Sequence, residues 1–117
     1  MDLEESVQKH AAWKVKFRVA IDKQEEMDSG TISVDNYCEL GQWLHGPGRA
    51  SVGSIPEFGR AVDAHKAFHL EAGKVAQLVS AKKFVEAENA IGPATPYATC
   101  SVNVATALMA LKKAAKL

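Results

Sequence analysis

From about Asp2 to Met27 the chain carries a helical seam: Leu3, Val7, His10, Lys14, Phe17 and Ile21 recur at alternating spacings of four and three. His10 therefore sits inside an otherwise apolar stripe, which Trp13 broadens. Asp2, Glu4 and Glu5 suit the start of such a helix, where the backbone dipole favours negative charge. Asp28-Ser29-Gly30 is a turn signal that should end it. A second helix is predicted from Ser33, as N-cap, to about His45, with Asp35 in its first turn. Val34, Cys38 and Gly41 would line one face, continued by Leu44 or His45. Gly41 inside a helix costs roughly 1 kcal/mol against alanine, which suggests the close approach of a neighbouring helix. His45-Gly46-Pro47-Gly48 stops this helix, and the segment through Gly53 reads as a flexible loop.

Ser54-Ile55-Pro56-Glu57 has the form of a helix entry, with Ser54 as cap, Glu57 completing a capping box and Pro56 in the first turn. Phe58, Ala61, Val62, His65, Phe68, His69, Ala72, Val75, Ala76 and Val79 then form a broad helical stripe that includes both histidines. Ala81 to Ala90 reads as a shorter helix or a bent continuation, before breaks at Gly92-Pro93 and Pro96. A last helix is predicted from about Tyr97 to Lys116, on a seam of Tyr97, Cys100 or Ser101, Val104, Leu108 and Leu111. No β-type alternation of useful length occurs. The pattern predicts an all-α protein: a four-helix bundle with an additional short helix, one domain over residues 1–117.

Composition narrows the function. At 117 residues the chain can bury a real core, and 47% hydrophobic with 24% charged residues is ordinary for a soluble globular domain. The formal net charge is zero, so no basic field exists to hold nucleic acid and no polybasic segment to hold a membrane. No apolar run approaches membrane-spanning length, and Met1 to Glu5 lacks the apolar stretch of a signal peptide. Two cysteines do not make a disulfide framework, and the expected setting is the reducing cytoplasm.

The candidate chemistry centres on His65-Lys66-Ala67-Phe68-His69. Histidines four apart lie one above the other on a helix face and can share a metal ion. Zinc is usually four-coordinate in a structural site, so two further donors are needed. A lone histidine or cysteine in a helical seam is usually a packed core residue. Here, however, His10, Cys38 and the His65/His69 pair come from three separate helical seams that converge in a bundle, where bundles build metal sites. Three imidazoles and one thiolate suit zinc rather than calcium or magnesium, which want oxygen. Four protein ligands leave no open position for activated water, so no enzyme activity is expected. The pair also departs from the metalloprotease pattern, because Lys66 stands where the general-base glutamate would be. Two rivals exist. His45 lies two turns beyond Cys38, about 10 Å along a helix, and is expected at an exposed helix end. Cys100 is expected as a packed thiol near the start of the last helix.

Taken together, His10-Ala11-Ala12-Trp13-Lys14, Cys38-Glu39-Leu40-Gly41-Gln42-Trp43-Leu44, Pro56-Glu57-Phe58 and His65-Lys66-Ala67-Phe68-His69 resemble, in order and spacing, the CZB (chemoreceptor zinc-binding) domain of bacteria. The likeness runs over about residues 7 to 80, and the closing helix is similar in character. The family's three-histidine, one-cysteine set falls on His10, Cys38, His65 and His69. The resemblance implies a regulatory zinc sensor of chemoreceptors or diguanylate cyclases, often dimeric. In it the cysteine is a labile ligand responding to zinc or to oxidants such as hypochlorous acid. These 117 residues hold no coiled-coil signalling region and no catalytic output domain, so the output partner stays open. Trp13, Trp43 and Tyr97 offer apolar surface beyond what one small bundle needs, and with the resemblance they suggest a symmetric homodimer.

Two other readings compete. A hemerythrin-like di-iron bundle would need more histidines and bridging carboxylates. This chain has four histidines, none followed four residues later by Glu or Asp. A metal-free adaptor bundle, in which the histidines merely pack, is separated from a zinc module by metal analysis.

Overall fold

The chain, described over all 117 residues in a computed structural model, folds into helices alone. The first seam forms α1 (Leu3–Ala11) and α2 (Trp13–Lys23), joined through Ala12, which keeps right-handed helical angles. Asp2 caps α1 by accepting from the Glu5 N–H. The helix pair ends before the expected Met27, because Gln24 turns left-handed at φ 55°. Asp28 then starts a helix rather than closing one. Its carboxylate accepts from the Thr31 N–H and from the Thr31 hydroxyl at 2.7 Å, which opens the single turn α3 (Ser29–Ile32).

The second predicted helix is displaced. It does not begin at Ser33; residues 34–38 are non-helical, and α4 runs Glu39–His45. Cys38 is its N-cap, with Sγ accepting from the Gly41 N–H at 3.3 Å. Val34, Cys38 and Gly41 therefore do not share a helix face. The reason lies at Gly41: a Cβ there would stand 1.6 Å from the Asp35 carbonyl oxygen. The close approach inferred from the sequence is real, but the neighbour is the chain's own preceding loop and not another helix. Gly73 does the same from the other side, where a Cβ would meet Ser33 Cβ at 2.4 Å. Two glycines thus let the 33–38 segment lie flat against helical backbone on both sides.

The expected loop after His45 is instead helical. Pro47 takes the first position of α5 (Pro47–Val52), where its missing N–H costs nothing. α6 (Pro56–Ser80) likewise opens on Pro56, but Ile55 holds the cap position and makes no side-chain bond, so the Ser54/Glu57 capping box does not form. α7 (Phe84–Ala90) is the short helix, three residues later than expected. α8 (Pro96–Ala115) is capped by Thr95, which accepts from the Ala98 N–H.

The 25-residue α6, about 37 Å long, sets the 43 Å long axis of the molecule. It packs against α2, α3, α7 and above all α8, while α1 closes on α8. One core of 20 apolar side chains runs along it, with Phe17, Phe58, Phe68, Leu108 and Leu111 sealed from solvent. Tyr97 belongs to this core, packed on Phe17 and Phe68 and only 3% exposed. Trp43 leans on Gly48 and on the Phe58 ring. Of the three aromatics expected to offer surface to a second copy, Tyr97 is therefore spent internally.

Gly41 and Gly59, both helical, give a paired prediction. Gly41→Ala forces the 35–38 backbone to move and should destabilise the fold by about 1–3 kcal/mol. Gly59→Ala, where a Cβ meets nothing within 4 Å, should stabilise α6 by up to about 1 kcal/mol. Urea unfolding followed by circular dichroism checks both signs.

Candidate metal centre

The turn before α4 and one face each of α1 and α6 converge on a single point. His10 is the penultimate residue of α1, while His65 and His69 lie one turn apart in the middle of α6. Cys38 reaches the same point from the N-cap of α4, so two helices and a cap supply the donors, not three helix faces. The ligand atoms of these four residues all lie within 4.8 Å of one another. His65 Nε2 is 3.1 Å from His10 Nε2 and 3.0 Å from His69 Nε2. Cys38 Sγ is 3.2 Å from His65 Nε2, 3.6 Å from His69 Nε2 and 3.8 Å from His10 Nε2. The edges of an ideal zinc tetrahedron are about 3.3 Å between nitrogens and about 3.6 Å between nitrogen and sulfur.

Two backbone carbonyls fix which ring nitrogens carry hydrogen. His10 Nδ1 donates to the Ser6 carbonyl at 2.7 Å, and His69 Nδ1 donates to the Ile32 carbonyl at 2.8 Å. The second bond also ties the end of α3 to α6. In a neutral imidazole, a protonated Nδ1 leaves Nε2 with a bare lone pair. His10 and His69 therefore both aim lone pairs inward. His65 Nε2 can offer a hydrogen to only one of them, and its own Nδ1 is buried without a partner. Lone pairs at this spacing cannot satisfy one another, whereas one soft divalent cation satisfies all four donors at once. The donor set fits zinc, with His10, Cys38, His65 and His69 as the residues that would hold it.

Electrostatics point the same way. Burial pushes the His65 imidazole down to about 3, reinforced by the neighbouring His69 and His10 rings. Burial also lowers His10 and His69, outweighing the Ser6 and Ile32 carbonyls that would raise them. All three rings are thus neutral, as ligands must be. Burial raises the Cys38 thiol, so without a cation it stays protonated. His65 is fully buried, His69 4% and His10 5% exposed, while Cys38 is only half-buried.

His45 takes no part. It ends α4, exposed, and pairs with Asp35 at 2.9 Å. Asp35 is held below the ordinary carboxylate range: partial burial would raise it, but the hydrogen bond and charge of His45 prevail. Cys100 lies half-buried on α8, away from the cluster. Sequence reasoning missed the support around the donors: the Ser6 and Ile32 carbonyls, the Asp35–His45 pair and the two glycine contacts. Only Gly41 left a visible signal, a costly helical glycine that implied a close approach without showing that the neighbour is the Asp35 carbonyl.

Three buried imidazoles and one half-buried thiol, set in a helical bundle, make a site able to hold a metal ion. The chain matches a family model described as the chemoreceptor zinc-binding domain over residues 10–76, more than half its length and a span that holds all four donors. The protein belongs to that family. No curated protein and no solved structure matches it.

The depressed imidazoles generate a pH dependence. Their folded-state values lie below the ordinary value near 6.5, so below that pH the unfolded chain binds more protons than the folded one. Stability is full above pH 6.5 and falls as pH drops, continuing for His65 until about 3. Each histidine contributes up to about 1.4 kcal/mol per pH unit. The urea midpoint of the metal-free protein should drop between pH 7 and pH 5, less steeply in His65→Gln; equal midpoints for the native chain would refute it.

Proposed function

We propose that the protein is a zinc-responsive regulatory module of bacterial signalling, in which His10, Cys38, His65 and His69 hold one zinc ion and Cys38 is the ligand that lets go. The observation that carries the reading is the convergence of three imidazole Nε2 atoms and one thiol within 4.8 Å. When bound, zinc would hold the Cys38 sulfur as a thiolate. The roles then divide by rigidity. His65 and His69 share α6, so one helix fixes their spacing, and the Ile32 carbonyl orients the His69 ring. Cys38 sits on a non-helical segment and caps α4, which packs chiefly on α5. Freeing Cys38 leaves the histidines in place and releases the start of α4, a local two-state element of the kind that biases a partner or an interface.

The same position supports a redox role. Hypochlorous acid would convert the thiolate to a sulfenic acid, the sulfur losing two electrons and chlorine leaving as chloride; the product is a weaker ligand. The domain acts by binding and not by catalysis, since four protein donors leave no site for substrate. It works in the cytoplasm, a setting consistent with free cysteines and with the lack of any helix long and apolar enough to cross a membrane. It works as a homodimer, a reading supported by the family and by exposed Val15 and Val19 on α2. A monomer mass by light scattering at micromolar concentration would remove the dimer from the proposal.

Metal analysis of protein purified without chelator tests the function directly, with one zinc per chain expected and no metal overturning it in favour of an adaptor bundle. Variants divide the roles. Cys38→Ala should retain zinc at reduced affinity, while His65→Ala combined with His69→Ala should abolish binding. After brief oxidant treatment of the zinc-loaded protein, mass spectrometry should find Cys38 modified before Cys100. Modification of Cys100 with Cys38 intact would end the redox reading.

A further inference from the structure

We propose that the cleft between the first helix pair and the start of α4 is the port through which small thiol reagents and metal-chelating molecules reach Cys38, and that Lys9 is its movable bar. The half of this concerning metal rests on the zinc reading above; the half concerning thiol access does not.

The cluster is closed on three of its four members. His10, His65 and His69 are all but sealed by α1 and α6, so anything that exchanges with the centre must arrive on the side of the half-buried Cys38. A cleft of about 470 Å³ opens on that side, with both Cys38 and His10 in its lining. The other large clefts touch none of the four donors. One wall is the α1–α2 pair, presenting Lys9, Ala12 and Trp13, and the opposite wall is Cys38, Glu39 and Leu40. That volume lies within the range of small-molecule sites and far exceeds the roughly 30 Å³ share of one water. A compact donor molecule the size of an amino acid fits beside the sulfur.

Lys9 spans the walls. Its Nζ lies 3.1 Å from Glu5 Oε1 on its own helix and 3.2 Å from Glu39 Oε2 on the facing wall. All three side chains are well over half exposed, so these ion pairs are weak and break readily. Glu39 directly follows Cys38, and Lys9 and Glu39 both line the cleft, which makes their pair a strap between its walls beside the most exposed donor. A second, smaller cleft, lined by Met1, Asp2, Glu5, Ser6, Lys9 and Glu39, adjoins the strap.

The test uses the full chain with iodoacetamide as probe, following alkylation of Cys38 by mass spectrometry with Cys100 as internal reference. In the metal-free protein, Lys9→Gln and Glu39→Gln should each speed Cys38 alkylation by about two- to threefold, and the double variant no further, because both remove one strap. Ala12→Trp, which fills the cleft from an exposed position, should slow Cys38 about tenfold. Cys100 should be unchanged throughout. Release of zinc into excess coloured chelator should follow the same order with equilibrium affinity unaltered. Equal Cys38 rates in native, Lys9→Gln and Glu39→Gln protein, or strap variants whose effects add, would overturn the proposal. Those two variants lie on the surface and carry the test even if Ala12→Trp fails to fold. A chain that binds no zinc but shows the alkylation order keeps the port and removes the metal reading.

Discussion

Three neutral imidazoles whose Nε2 atoms converge inside a protein, at least two of them with bare lone pairs, are an unsatisfied arrangement, and the rest of this structure is built around it. Burying polar nitrogens without partners costs roughly 1–3 kcal/mol each. His10 and His69 meet half of that demand through carbonyls of Ser6 and Ile32, and in doing so they turn their other nitrogens inward. His65 has no such partner at all. The bonds that orient the rings thus leave a donor set that fits a cation at its centre. The fold supplies the rigidity behind that set: α6 runs the length of the molecule through the core and carries two of the four donors.

Against that fixed set, the fourth donor is held lightly. Cys38 is placed by backbone contacts rather than by a packed helix face. The 33–38 segment lies between Gly41 and Gly73, with Asp35 paired to His45 at the far end of α4. Such a segment has a defined resting place but few apolar contacts, which is the character of elements that open locally. The buried helical pair and the half-exposed cap thus differ in how firmly the fold holds them.

Much of this was legible in the sequence, and the reasons differ by element. The histidine pair was readable because i,i+4 spacing on a long apolar stripe has one structural meaning. His10 was readable because its seam was otherwise regular. Cys38 was assigned to the right cluster from the wrong element: residues 33–45 have helical composition, and nothing local shows that the Asp35 carbonyl must sit where a helical Cβ would be. The same limit applies to Pro47–Val52, where a glycine- and proline-rich run reads as loop until the proline is seen at a helix start. Tyr97 looked like spare surface because its partners, Phe17 and Phe68, lie some 80 and 29 residues away in sequence. Local pattern fixes periodicity and donors; it does not fix which long-range contacts consume an aromatic.

The central claim is that these four side chains form one metal shell. X-ray absorption at the zinc edge, on protein purified without chelator, tests it most directly. The account predicts three nitrogens at about 2.0–2.1 Å and one sulfur at about 2.3 Å around each zinc, unchanged in His45→Ala and without sulfur in Cys38→Ala. A shell of nitrogen and oxygen alone in the native protein, or one that loses a ligand when His45 is removed, would contradict it.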